Sequence, residues 1–246
     1  MNKSVSGFLD KLEKINDEKI GVYIPSIKKE INTTPLTLKQ QKDLIAATLD
    51  GVKGLLNFNK TLNKIILQNT DNTSFKIYDK FPFVIHLRKQ ALGSKIKQND
   101  TIIDLNKVLA NIKKTPFNIK DEHSVTLKSL KVGLKIPTLE EENIILAKGE
   151  QDVIVEEDST KEGVGMLYML EIIKYIDSLT IDEEIIEFSK ITINDRIKLI
   201  EQLPLSMYTE ISSYIENINK YLNDILTVDE VMVSIDATFF DTSDID

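Results

Sequence analysis

The chain predicts an α+β fold, predominantly helical with small antiparallel sheets, in two lobes joined by an acidic linker. Three observations carry that expectation. Apolar residues recur at three and four positions through Met207–Leu226 (Ile211, Tyr214, Ile215, Ile218, Leu222, Ile225), the spacing of one helical face. The period changes to two in His123–Ile136, where Val125, Leu127, Leu130, Val132, Leu134 and Ile136 stand against Lys128, Lys131 and Lys135. Between these two stretches lies Gly149–Gly163, polar, acidic and bounded by glycines.

From the start of the chain, Ile20–Ile24 and Ile27–Ile31 are short extended segments around Pro25-Ser26, a hairpin or a bent pair. Pro35 stops the second. Thr37 and Gln40 then have the spacing of a capping box, in which each side chain serves the other residue's backbone N–H. Leu38, Leu44, Ile45, Thr48 and Leu49 give the face of the helix that follows, with Gly51 and Gly54 as its terminators. Asn59–Asn69 and Asp79–Leu92 read as further helices. Pro82 is tolerable in the second because it falls in the first turn, where the N–H has no partner to lose. Asp104–Lys113 is a fourth. After the alternating segment, Thr138 and Glu141 cap a short acidic helix. The linker 149–163 follows, with Val153–Val155 left open as a short strand. Met166–Ile176 reads as a buried helix, Ile181–Ile191 as strand in preference to helix, and Asn194–Gln202 as a helix stopped at Leu203-Pro204. Val231, Val233 and Ile235 alternate as a final strand. The expected domains are thus a basic lobe over 1–148, the linker 149–163 and an acidic lobe over 164–246.

Composition narrows the function classes. With 246 residues, 41% of them hydrophobic and 28% charged, the chain can bury a substantial core. It has no cysteine, which removes disulfides, thiolate metal sites and cysteine nucleophiles together. The apolar runs are short and broken by charge, so no membrane span is expected. Met1–Lys19 lacks the uninterrupted apolar region of a secretory signal. The net charge of −8 divides unevenly: Met1–Thr138 has 24 basic and 13 acidic residues, and Leu139–Asp246 has 7 and 26. Such a split fits halves that pack on each other, copies that pair head-to-tail, or faces for different partners. Nucleic-acid binding is the less favoured reading, because the basic half is built from lysine. The chain has two arginines, Arg88 and Arg196, and no tryptophan for base stacking.

The search for chemistry is largely negative. His86 lies within an amphipathic helical stretch, and His123 follows Asp121-Glu122 with only carboxylates nearby, so neither has a metal-ligand pattern. The glycine pairs Gly51–Gly54 and Gly163–Gly165 lack the Lys-Ser/Thr end of a phosphate loop. Glu140–Glu142 lacks the alternating oxygens and central glycine of a calcium loop. No catalytic, cofactor-binding or metal-binding residue is therefore assigned, and no cofactor is expected. Phe239 and Phe240 are singled out instead. Two adjacent rings beside an acidic terminus each cost about 1.5–3 kcal/mol if left in water. They either fold back as a core anchor or insert into a partner, and Val231–Ile235 leading along a sheet favours fold-back.

Several longer stretches bear on identity. Tyr23–Gly51 (YIPSIKKEINTTPLTLKQQKDLIAATLDG), Asp79–Gly93 (DKFPFVIHLRKQALG), Tyr168–Asp182 (YMLEIIKYIDSLTID), Ile191–Leu222 and Val233–Phe240 occur in an order that resembles the baseplate hub proteins of T4-type bacteriophages. That family includes hub subunits and hub assembly chaperones, and Asn106–Asp158 is the stretch least like it. The resemblance implies a non-enzymatic role in virion assembly, in the host cytoplasm or in the tail baseplate of a myovirus. The implied partners are other hub or tape-measure proteins, with homo-oligomers left open. The alternatives are a nucleic-acid-binding accessory using the basic half and a hub-associated hydrolase. A hydrolase would need two carboxylates at a defined separation, which no motif here marks.

Overall fold

The computed structural model describes residues 19–47, 52–70, 74–98, 101–152 and 160–240. They form eight α-helices and small antiparallel sheets, an α+β fold in which helix predominates. The chain divides into two compact units. One holds the described residues up to Pro116 and those from Ile225 onward, and the other holds Phe117–Asp224.

The first unit begins with a hairpin of β1 (Ile20–Ile24) and β2 (Lys29–Thr33), which sends Val22, Ile24 and Thr33 inward. Helix α1 (Leu38–Ala47) starts at the expected capping box: Thr37 N–H donates to Gln40 Oε1 at 3.0 Å, and Gln40 N–H to Thr37 Oγ1 at 3.2 Å. Residues 48–51, with the expected stop at Gly51, lie outside the described residues. Gly54 is no stop, for it lies inside α2 (Val52–Gln68), which starts earlier than the apolar spacing suggested. Below α2, Asn69 holds the connection in place. Its Nδ2 donates to the carbonyls of Thr34 and Pro35, and its own carbonyl accepts from Thr34 N–H and Thr33 Oγ1.

A 3₁₀ turn (Ile77–Asp79) leads into α3 (Lys80–Leu92), with Pro82 in the first turn as expected. Asp79 is fully buried yet satisfied: it accepts from Ser26 N–H at 3.0 Å and Lys76 N–H at 2.8 Å, fastening the β1–β2 turn to the start of α3. Arg88 is also buried and directs its guanidinium to the carbonyls of Gly93 and Lys95. Gly93 adopts φ 90, a conformation open to glycine, and so lets the chain turn out of α3. A hairpin unforeseen in the sequence follows, β3 (Lys95–Gln98) with β4 (Thr101–Asp104). Asp104 then caps α4 (Leu105–Lys114) by accepting from Asn106 N–H.

The second unit is built on a four-stranded antiparallel sheet in chain order: β5 (Glu122–Leu127), β6 (Leu130–Lys135), β7 (Ile176–Ile181) and β8 (Glu184–Glu187). The alternating segment forms the expected hairpin. Val125, Val132 and Leu179 align across three strands on the buried face. Strand β7 was not foreseen; its run of apolar and β-branched residues merges in sequence with the end of the preceding helix. Helix α5 (Leu139–Asp152) has the expected Thr138–Glu141 capping box. It packs on α6 (Thr160–Ile173), and α6 packs on α7 (Ile193–Glu201). Of the expected linker, 153–159 lie outside the described residues, while 149–152 and 160–163 are helical. Ile181–Ile191 divides into the end of β7, β8 and a 3₁₀ turn (Phe188–Lys190).

The long helix α8 (Leu205–Leu226) follows, and the remaining chain belongs to the first unit. There β9 (Thr227–Val228) and β10 (Val231–Met232) form a short hairpin, and a 3₁₀ turn covers Ala237–Phe240. The expected last strand therefore ends at Met232. Val233 and Ile235 continue without a ladder, although Val233 is buried.

The charge asymmetry of the sequence is partly resolved inside these units. Lys107 meets Asp229 at 2.7 Å in the first, and Lys135 meets both Glu141 (2.7 Å) and Asp177 (2.9 Å) in the second. Each pair joins the basic part of the sequence to the acidic part. Counted over the two units, the net charges become +3 and −11.

Candidate interaction surface

Phe239 and Phe240 come first, as the residues the sequence singles out. Both are completely buried in the first unit, their rings edge-to-face at 5.4 Å. Their 3₁₀ turn packs against α1 and α3, and Gln41 Nε2 of α1 donates to the Phe240 carbonyl at 3.2 Å. The rings are thus placed as part of the core rather than as an exposed contact.

His86, on α3, is partly buried, and that burial together with the nearby Lys89 lowers its pKa to about 4 despite the opposing effect of Glu30. It is therefore neutral at ordinary pH. His123 is exposed at the sheet edge and stacks on Tyr214 with ring centroids 5.5 Å apart. The Tyr214 hydroxyl donates to the carbonyls of Lys120 and Asp121, and burial, reinforced by Asp121, raises its pKa. Among the described residues no cluster of three or more His, Cys, Asp or Glu could hold a metal ion, and no helix is long and apolar enough to cross a membrane.

The four-stranded sheet has an open outward face and two edge strands, β5 and β8. The outward face forms a shallow depression of about 700 Å³. Its floor is made of small residues in register, Ser124, Gly133 and Ser178. A Cβ on Gly133 would lie 2.5 Å from Ser178 Oγ, so a larger residue there would force the Ser178 side chain to move. Lys120, Lys131 and Ile185 stand around it. At one end Lys135 is held between Glu141 and Asp177. Burial is the largest influence and works against both charges of the Lys135–Glu141 pair, but their shared hydrogen bond and mutual attraction, with Asp177 acting on Lys135 and Thr138 on Glu141, together outweigh it. Lys135 is accordingly raised and Glu141 lowered from the ordinary value. A glycosidase acid needs the opposite, a carboxyl that keeps its proton near neutrality.

The edge strand β8 is the more unusual feature. Its sequence, Glu-Ile-Ile-Glu, is exposed at every position, with Ile185 66% and Ile186 41% accessible. Ile181, at the end of β7, is 51% accessible and Leu127, at the end of β5, 36%. Exposed acids surround this apolar corner: Asp182 and Glu183 in the turn, Glu184 and Glu187 in the strand. Among the described residues only Glu187 has a cation at hand, Lys190 at 2.8 Å across two solvent-facing side chains, a pair of little energetic weight. Scattered exposed leucines or isoleucines are ordinary. Ile181, Ile185 and Ile186 lie together at the β7–β8 end of the sheet, and exposed apolar side chains grouped at a sheet edge are what an interaction surface looks like. Sequence reasoning missed this edge because EIIEFSKI carries no chemistry. The signal present was a β-branched pair between two glutamates, directly after a turn.

The sequence profile of a family described as T4 bacteriophage base plate protein matches residues 18–229. No curated protein and no solved structure matches the chain.

Proposed function

The chain belongs to the T4 bacteriophage base plate protein family, and from that premise we propose that it acts in building the baseplate hub, as a hub subunit or as an assembly chaperone that leaves. The family match, which spans most of the chain, is the observation that carries the reading. On this reading the protein works without catalysis, by binding other hub or tape-measure proteins, in the host cytoplasm during assembly. Two features support surface binding. Charges that look available in the sequence are partly consumed inside each unit, and the open apolar surface lies at a sheet edge rather than in a deep cleft. A core of apolar contacts with a polar rim is the ordinary anatomy of a protein interface.

The test is quantitative mass spectrometry of purified virions against infected-cell lysate. A few copies per particle identify a hub subunit. Abundance in lysate with none in virions identifies an assembly chaperone. Loss of the gene without any defect in tail assembly would overturn both.

A further inference from the structure

We infer that β8 is a docking edge for an extended segment of a partner protein, one whose apolar residues are flanked by lysine or arginine, and that the segment adds a fifth strand to the sheet. This deepens the proposed function and rests on its claim that the protein works by binding.

The backbone geometry supplies the first argument. Strands β7 and β8 are joined by two residues, Asp182 and Glu183, both at positive φ (48 and 74), which is the type I′ arrangement. The closing pair Ile181–Glu184 then exchanges both backbone hydrogen bonds, as does Leu179–Ile186. Ile185 and Glu187, at the alternate positions, turn their N–H and C=O groups away from β7. Among the described residues no further strand pairs with this edge. An added strand would meet those groups with its own. Its side chains would lie beside Ile185 on the outward face and beside Ile186 on the other.

Charge selects the occupant. In an antiparallel twofold pairing outward-facing positions meet outward-facing positions, so a second copy of β8 centred on Ile186 would set Ile185 opposite Glu187, and one centred on Ile185 would set Glu183 opposite Glu187 at both ends. Like charges directly opposite each other destabilise a strand pair. With Asp182 and Glu183 adjacent, the edge disfavours itself and acidic strands. It accepts basic residues at the positions that flank the isoleucines.

The test uses the purified full chain and an array of peptides tiling the other baseplate proteins of the same phage. The wild type should retain peptides with alternating apolar residues and flanking Lys or Arg, and binding should slow amide exchange at Ile185 and Glu187. Ile185→Pro removes an outward N–H without touching the β7 ladder, so it should weaken binding about tenfold or more. If that variant does not fold, the double charge reversal Glu184→Lys, Glu187→Lys decides, because it should shift retention to acidic peptides. Equal binding by folded Ile185→Pro, protection elsewhere, peptides with helical apolar spacing, or wild-type self-association that Ile185→Pro abolishes would each overturn the docking edge. If baseplate proteins bind at another surface, this inference fails while the binding function stands. If the full chain binds none of them, the binding function itself fails.

Discussion

Phe239-Phe240 and Ile185-Ile186 are both pairs of adjacent large apolar residues beside acidic chain, yet the first pair is fully buried and the second is open to water. Hydrophobicity alone does not separate them, since burying either kind of side chain gains about 1.5–3 kcal/mol. Secondary structure makes the difference. Adjacent residues in a strand point to opposite faces, so one core can cover only one of them. In a 3₁₀ turn successive side chains are about a third of a turn apart and two can enter the same concavity. The first unit supplies that concavity with α1 and α3, and Gln41 fixes the backbone at its rim. The second unit ends its sheet at β8, with the neighbouring chain going directly into the Phe188–Lys190 turn.

If that contrast is right, truncation should separate the pairs by the largest margin available. Phe240→Ala should cost about 3–5 kcal/mol of unfolding free energy, the range for emptying a buried aromatic site. Ile185→Ala should change stability by less than about 0.5 kcal/mol, as surface substitutions do. Urea denaturation of the two variants decides it. Equal losses would mean that β8 is buried in solution and the contrast is false.

Acid should break the contrast from one side only. His86 sits on α3, one of the helices that cover the phenylalanines. Its pKa in the folded chain is about 4, below the ordinary 6.5, so the unfolded chain binds the extra proton first. The stabilisation is present above pH 6.5 and is lost as the pH falls through 4. Its size should not exceed about 2 kcal/mol, because His86 is only partly buried and solvent screens the charge. Stability measured from pH 7 to 4 should fall in the wild type and fall less in His86→Gln. The same slope in both would remove His86 as the cause.

At the rim of the concavity, Gln41→Ala should cost about 1 kcal/mol, the net value of one hydrogen bond to a backbone carbonyl. Amide exchange near Phe239 should quicken while β7 is unchanged. A loss confined to α1, with no change at Phe239, would mean that Gln41 supports its own helix rather than the 3₁₀ turn.

How much of this was legible in the sequence follows from which residues carry local signals. The capping boxes at Thr37 and Thr138, the α8 face and the β5–β6 alternation were readable because their partners lie within a few residues. Strand β7 was not, because its residues pair with β6 more than forty positions away, and apolar β-branched chain is compatible with helix or strand until that partner is known. The charge split was visible, but its resolution through Lys135 with Asp177 and Lys107 with Asp229 required the fold. The same is true of Asp79 and Arg88, polar residues in an apolar stretch whose partners are backbone groups brought in by turns. The sequence drew attention to Phe239 and Phe240 by size. It could not draw attention to Ile185 and Ile186, since an edge strand is defined by the neighbour it lacks.

The smallest effect bears on how that edge is held. Glu183 has φ 74 and Glu230, in the β9–β10 turn, has φ 67; both follow an aspartate at positive φ in a two-residue turn. A side chain in this region is strained by about 1–2 kcal/mol, while glycine has no such strain but loses about 0.5–1 kcal/mol more backbone entropy on folding. Glu183→Gly and Glu230→Gly should therefore each stabilise the protein by a few tenths of a kcal/mol, and by similar amounts, since both create the favoured Asp-Gly turn. Only Glu183→Gly removes a charge from beside β8. Binding of basic peptides should weaken slightly in that variant and not in Glu230→Gly, even though both turns become easier to form. If the two variants bind alike, the acidic rim does not select the partner, and the apolar corner of Ile181, Ile185 and Ile186 must account for recognition without it.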